Sequence, residues 1–452
     1  MTKNMTEGNP VKLILEFSIP LLIGNILQQA YNMIDAAIVG RVLGPDALAA
    51  VGASSSVQFL VFGFCMGTCA GFGIPIAKYF GAKRPDRLRI TIFHSYLLVG
   101  IFSVILTAGT CLLCHNIMDI MKVTGSIYND AYIYLFIILA GIPFTMFYNI
   151  LASMLRAIGD SKTPFIFLAV SSVINIILDL AFIVILPLGC AGAALATVAA
   201  QMISGVSCFI VIQKKYPLIR LSKDICKFNG YAVRELLIMG LPMGLQYSIT
   251  AIGSMVMQSA NNSLENVYIS AFAVASKLKQ LAMCPFDAIA TGVSVFISQN
   301  LGAEKPKRVK QGIARGTIIN TSYGLIIGIV LIFFGETLSL MFIDSSAKDV
   351  LKASGEYARC IGYFFWSLGI LNTFRMSIQG MGFSGLAIFS GVLEMFARIF
   401  VSKKFVPEYG FRAICFTDQS AWVVATLYCI IICIFCVNKV SKKSKSATKI
   451  SA

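Results

Sequence analysis

Twelve apolar stretches, each about long enough to cross a bilayer, follow one another along this chain of 452 residues. They lie near residues 13–39, 51–77, 91–114, 131–153, 165–187, 190–212, 236–260, 268–298, 316–342, 358–379, 386–406 and 413–437. A hydrocarbon core ~30 Å thick needs ~20 residues of helix. Lipid-exposed backbone must satisfy its hydrogen bonds within its own segment, so each stretch reads as helix. Composition agrees: 57% of residues are hydrophobic and 13% charged, against roughly half and a quarter in soluble domains. A soluble chain of this length has no core large enough to hide that apolar surface. The same figures exclude a disordered, collagenous or small disulfide-bonded protein. The expected fold is an all-α polytopic membrane protein.

The net charge of +16 would suit a nucleic-acid binder, but its placement points elsewhere. With the N-terminus inside, 25 of the 37 Lys and Arg residues fall on the cytoplasmic side (Lys223 among them). Eight fall outside, Lys122 included, and four lie within spans. Such a bias fixes both termini in the cytoplasm with an even number of spans. It adds an attraction to anionic inner-leaflet lipid, and no nucleic-acid partner is expected. The first stretch is too long for a signal peptide and carries Gln28, Gln29, Asn32 and Asp35; it reads as a span.

That stretch also has a copy in mid-chain. Tyr79-Phe80-Gly81-Ala82-Lys83 is answered by Asn300-Leu301-Gly302-Ala303-Glu304, 221 residues later. Ile19-Pro20 is answered by Leu241-Pro242 at an offset of 222, and Arg156-Ala157-Ile158-Gly159 by Gln379-Gly380-Met381-Gly382 at 223. The chain therefore reads as two six-helix lobes, 1–221 and 222–452. An even number of spans in each makes them parallel repeats, related by a pseudo-two-fold axis along the membrane normal. Paired lobes of this kind commonly enclose a cavity and rock about it, which favours a transporter.

Polar groups within the spans are few. Asp35 lies five residues before Gly40 on the outward-running first helix, and Asn175 and Asp179 are one turn apart on the fifth. Thr197 follows Cys190 by seven residues on the sixth. At 1.5 Å per residue these groups share a depth of roughly 7–16 Å below the outer boundary. No Lys or Arg lies within the spans of this half. An unpaired carboxylate in a bilayer costs at least about 2.5–3.5 kcal/mol on insertion scales, so it must bind a cation, take a proton or see water. The functional reading is a cation-coupling site, in which Asn175 and Thr197 are oxygen ligands to Na⁺ or partners of a protonated Asp. The alternative is that each Asp caps or braces helices near a watery mouth. Pro20 removes a helix hydrogen bond fifteen residues before Asp35 and marks a hinge on the same helix.

The second half carries Lys277, Lys279, Asp287, Arg375, Glu394 and Arg398 in or near its spans, a surplus of two positive charges. Glu394 and Arg398 are one turn apart and positioned to pair. Asp287 and Arg375 lie at a similar depth, which permits a pair across helices. These residues are candidates for structural or gating ion pairs, or for substrate contact.

Two motif matches carry little weight. Gly380-Met381-Gly382-Phe383-Ser384-Gly385 fits a dinucleotide-binding glycine pattern, but no βαβ unit surrounds it, and it reads as a tight turn. Cys111-Leu112-Leu113-Cys114-His115 has the haem-attachment spacing but abuts an apolar helix. The thirteen cysteines sit almost wholly in apolar stretches, where thiols act as small hydrophobes. Gly63, Gly67 and Gly71 form a close-packing face on the second helix. No phosphate-binding loop, His-Glu-x-x-His run or nucleophile elbow is present.

The run Gly40-Arg41-Val42-Leu43-Gly44-Pro45-Asp46-Ala47-Leu48-Ala49-Ala50-Val51-Gly52 resembles the signature after the first helix of the multidrug and toxic compound extrusion (MATE) family. Ser298-Gln299-Asn300-Leu301-Gly302-Ala303 resembles its counterpart after the eighth. The detail is most similar to the bacterial branch with damage-inducible-type members. The resemblance implies an antiporter in a bacterial inner membrane that expels organic, often cationic and amphipathic compounds in exchange for H⁺ or Na⁺. It implies no other cofactor and a monomer acting on small molecules among membrane lipids. It also places Asp35, Asn175, Asp179 and Thr197 at the family's amino-terminal cation site and Pro20 at its bending proline. Where other branches put a carboxylate in the seventh helix, this sequence has Gln246 and Gln258. A flippase for a lipid-linked or polyanionic substrate is the competing reading, kept by the basic residues of the second lobe. An intramembrane enzyme lacks a nucleophile–base pair, and a channel more often assembles as an oligomer around an axis.

Overall fold

A computed structural model describes residues 3–121, 123, 125–221 and 227–450. Lys122, Lys223 and the segment 222–226, where the second sequence half begins, lie outside the described residues. Every regular element within them is helical. The first half comprises α1 (Pro10–Val42), α2 (Pro45–Gly81), α3 (Pro85–Leu112), α4 (Cys114–Ile120), α5 (Tyr128–Ala140), α6 (Ile142–Ala157), α7 (Lys162–Asp179) and α8 (Gly189–Lys215). The second comprises α9 (Gly230–Asn261), α10 (Asn266–Gly302), α11 (Pro306–Ser339), α12 (Lys348–Gly380), α13 (Ser384–Lys404), α14 (Val406–Tyr409) and α15 (Phe411–Ile450).

Ten of the described helices are long and apolar enough to cross a membrane, and eleven spans result if α5 and α6 are counted together. Two of the twelve expected spans differ from simple apolar rods. The fourth breaks at Gly141, where α5 and α6 meet at 44°. Pro143 has no N–H to offer the carbonyl of Leu139, which ends the first ladder. A side chain at Gly141 would put its Cβ 2.4 Å from Val198 Cγ2, so α8 packs into the bend. The tenth expected span is α12, 33 residues long but less apolar. It packs against α10, α11 and α15 and is buried along most of its length. Protein rather than lipid surrounds its Ser354, Ser367, Asn372, Thr373 and Ser377, so these positions need not be apolar.

Two compact units emerge from the packing. The first holds Met1–Asn4 and Ile23–Gly244, the second Met5–Leu22 and Leu245–Ala452. Each unit thus takes the start of its first long helix from the other sequence half. The changeovers fall just after Pro20 in α1 and Pro242 in α9, where the helix ladder is weakened. The first core gathers Phe72, Ile92, Met146, Leu151 and Cys208. The second gathers Phe17, Phe286, Phe296, Tyr357, Phe365 and Trp422. Helices approach closely where glycines allow it: a Cβ on Gly71 of α2 would lie 2.6 Å from Gly240 Cα of α9.

The sequence repeat recurs in the backbone. Lys83 and Glu304, 221 residues apart, are the two non-glycine residues with positive φ among those described, at 54° and 57°. Gly159 and Gly382 have φ of 84° and 90°, and Gly189 and Gly410 have 60° and 56°. Gly382 sits in the tight turn between α12 and α13, where the dinucleotide-like glycines fall. The described cysteines are free, and all but Cys111 are buried.

The turn into α7 is held by Asp160, which accepts hydrogen bonds from the backbone N–H of Lys162 and of Thr163, each at 3.0 Å. The hydroxyls of Thr163 and Tyr216 also donate to its other oxygen. Burial acts to raise the Asp160 pKa, but these donors outweigh it and hold the carboxyl below its usual range. Burial and the neighbouring carboxylate push the Tyr216 phenol up to about 12. A depressed carboxyl pKa contributes stability above its unfolded value near ~4 and loses it as pH falls through the folded value. Asp160→Ala is therefore expected to cost about 1–2 kcal/mol in thermal unfolding at neutral pH, with the deficit shrinking below about pH 4.

Candidate cation site

In the first unit five helices converge on a pair of carboxyl groups. Tyr31 and Asp35 are one turn apart on α1, and Ser171, Asn175 and Asp179 follow at one-turn spacing on α7. Thr197 comes from α8, Tyr134 from α5 and Gln58 from α2. The side chains of Asp35 and Asp179 lie within hydrogen-bonding reach of each other. Asp179 is fully buried and Asn175 nearly so. One oxygen of each carboxyl, Asp35 Oδ1 and Asp179 Oδ1, is buried without a protein partner. Tyr31 and Tyr134 stand beside both acids, and Gln58 lies beside Tyr134. A π-helical turn, Leu180–Ile185, begins directly after Asp179. Its Leu186 N–H reaches back to Ala181 at 3.0 Å, a distortion that often accompanies functional residues in helices.

Asn175 lies between Asp179 and Thr197. Turned one way, its amide nitrogen lies 3.5 Å from Thr197 Oγ1. Turned the other way, it donates to Asp179 Oδ2 at 3.2 Å and accepts from the Thr197 N–H at 3.3 Å. The second orientation suits an ionised Asp179, because a carboxylate only accepts. A protonated Asp179 can itself donate to the amide oxygen, which favours the first. A narrow crevice lined by Tyr31, Ser171, Asn175, Thr197 and Gln201 among others adjoins the site.

Two carboxyls in contact cannot both carry charge without a cation between them or a proton on one. The available donors are carboxylate, amide and hydroxyl oxygens, which suit a proton or a hard cation such as Na⁺. Among the described residues no group of three or more His, Cys, Asp and Glu is placed to hold a metal ion. The structure thus brings Asp35, Asn175, Asp179 and Thr197 together. Tyr31, Tyr134 and Gln58 were not singled out from the sequence. Tyr31 carried a usable signal, four residues before Asp35 on the same helical face.

The second unit arranges its charges differently. Lys279 donates to Asp418 Oδ2 at 2.6 Å and Tyr357 to the same oxygen at 3.2 Å. Arg398 Nε donates to Asp418 Oδ1 at 2.9 Å, and its guanidinium lies 3.4 Å from Glu394, one turn before it on α13. Arg375 pairs with the other oxygen of Glu394. The expected pair of Arg375 with Asp287 does not form. Glu394 is buried, so its unpaired charge would cost more, and it takes the guanidinium. Asp287 is exposed and accepts a 3.4 Å hydrogen bond from Asn372. Lys277 is exposed and outside the cluster. The positive surplus read from the sequence falls from two to one, because Asp418, seven residues into the last long helix, adds a third acid.

A profile of the MatE family matches residues 20–181 and, a second time, 242–402. The chain belongs to the MatE family. The second match starts 222 residues after the first, the spacing of the internal repeat. MATE proteins are secondary transporters, so this is a multi-pass membrane transporter and not an enzyme. It is 30% identical to a probable multidrug resistance protein, YpnP, of Bacillus subtilis, over 81% of this chain and 82% of that one. It is 23% identical to an FAD transporter of Shewanella oneidensis, over 81% and 82%. The fold superposes on an outward-facing MATE-family multidrug resistance transporter with a TM-score of 0.90 and 22% identity, covering 97% and 99% of the two chains. This MATE transporter's ion cluster predicts a clear contrast in double-mutant cycles by thermal unfolding. Arg375→Met with Glu394→Gln should show a coupling of roughly 1–3 kcal/mol, and Arg375→Met with Asp287→Asn a much smaller one.

Proposed function

We propose that this transporter exports organic, often cationic and amphipathic compounds from a bacterial cell in exchange for H⁺ or Na⁺. It works by alternating access between two lobes corresponding to residues 1–221 and 222–452, with both termini on the cytoplasmic side of the inner membrane. The observation that carries this reading is the contact between Asp35 and Asp179, each with a buried oxygen lacking a partner. Such a pair has lower free energy when a cation or proton joins it. Asn175 and Thr197 complete the ligand set, and Pro20 gives α1 a hinge through which occupancy at Asp35 alters the bend. A departing cationic solute and the coupling ion then compete for the same negative charge, and competition of this kind is what exchange requires. The family, in which cation coupling is typical, and the probable multidrug resistance relative support the same reading. A monomer suffices, and the motif after α1 favours the damage-inducible-type branch.

The FAD transporter relative supports a second reading, an anionic nucleotide or lipid-linked substrate. The ion cluster of the second unit weighs against it, since Lys279, Arg375 and Arg398 are each paired with an acid. Purified protein in vesicles distinguishes the two. An inward Na⁺ or proton gradient at fixed membrane potential should drive efflux of a fluorescent organic cation. Asp35→Asn and Asp179→Asn should each abolish gradient-driven efflux while retaining a wild-type unfolding midpoint. Gradient-driven efflux that survives both substitutions would remove the coupling assignment. Movement of FAD or lipid in place of the cation would favour the second reading.

A further inference from the structure

The positive-φ turns give fixed points for laying one half of the sequence over the other. Lys83 falls on Glu304, Gly159 on Gly382 and Gly189 on Gly410. Counted from these points, Gln58 falls on Lys279, and Thr197 on Asp418. Tyr134 and Asn175 fall on Tyr357 and Arg398. The contacts repeat with the positions. Gln58 lies within reach of Tyr134 in the first unit, and Lys279 is hydrogen-bonded to Tyr357 at 3.5 Å in the second. Asn175 meets Thr197 in the first unit, and Arg398 meets Asp418 in the second. Four positions and two pairings coincide, but the charges do not.

The acids of the first unit have no acidic counterparts. Counted from Pro20 and Pro242, Asp35 falls on Met257, and Asp179 falls on Ser402. In their stead the second unit has two cations fixed to the chain, Lys279 and Arg398, with Asp418 and Glu394 as counter-ions. Both oxygens of Asp418 are satisfied by these groups and Tyr357, whereas Asp35 and Asp179 each keep an orphan oxygen. The guanidinium and Asp418 are almost wholly buried, at 5% and 2% side-chain exposure.

We infer that the ion cluster of the second unit is a monovalent-cation site on the plan of the first, occupied by the chain's own Arg398 guanidinium and Lys279 ammonium. A tethered ion does not leave, so this site exchanges nothing. If the coupling role of Asp35 and Asp179 holds, all ion exchange then falls to the first unit. Removing a tethered cation should leave a hole of matching size and charge, lined by Asp418, that takes a free cation of the same class.

Chemical rescue tests this in the full-length protein. Arg398→Ala should lower the thermal unfolding midpoint, and millimolar guanidinium, far below denaturing levels, should raise it again in a saturable way. Lys279→Ala should respond likewise to ethylammonium. Each variant should prefer its own matching ion, and wild type should respond to neither. Where Arg398→Ala fails to fold, Lys279→Ala decides alone, since its ammonium is the more exposed of the two. No saturable rescue in a folded variant, or an equal shift in wild type, overturns the inference. The readout is stability and not transport, and the rescue should persist when Asp179→Asn is added. Failure of the coupling assignment in the first unit therefore leaves this result readable.

Discussion

Charge placed where water cannot reach it is costly unless something neutralises it, and this transporter answers that constraint in two ways. In the first unit Asp35 and Asp179 touch one another and have no basic partner. One oxygen of each is buried without a protein partner. In the second unit Asp418 and Glu394 are satisfied by Lys279, Arg398 and Arg375. The first unit thus leaves acid oxygens open, and the second closes its acids with its own cations.

The helical framework makes both solutions possible. Every backbone group in a lipid-facing segment must bond internally, which confines the chain to helices. Side chains then meet only where helices bring equal depths together. One-turn spacing on α7 aligns Ser171, Asn175 and Asp179, and α1, α2, α5 and α8 close around them. Departures from regular helix fall on the helices that carry these residues. Pro20 weakens α1, a π turn follows Asp179, and Gly141 with Pro143 bends the α5–α6 pair that carries Tyr134. Each departure frees or redirects a few hydrogen bonds, and such places are where helices change shape most readily.

Duplication supplies a second theme. Turns with the same unusual φ recur at equivalent places, even where the residue is Lys83 or Glu304 instead of glycine. Backbone geometry of this kind persists because helix lengths and crossings depend on it. Side chains at equivalent positions differ, with an amide–hydroxyl pair in the first unit and ion pairs in the second. The ladder-weakening prolines of α1 and α9 recur as well, and each marks the point where the helix passes from one compact unit to the other.

Much of this was legible in the sequence because the membrane imposes local rules. Span length, the placement of Lys and Arg, the repeat, and rare carboxylates in apolar runs follow from one-dimensional patterns. Asp35, Asn175, Asp179 and Thr197 could be grouped from depth alone. Partner choice could not. Arg375 selects Glu394 over Asp287, Asp418 joins Lys279 and Arg398, and Tyr134 comes from a distant helix to flank the acids. Hydropathy and spacing fix how deep a residue sits, because rise per residue is constant. Which neighbour lies at that depth depends on how helices rotate and cross, and only tertiary packing settles that. The polar α12 makes the same point: neighbouring helices, not lipid, enclose its Ser367, Asn372 and Thr373.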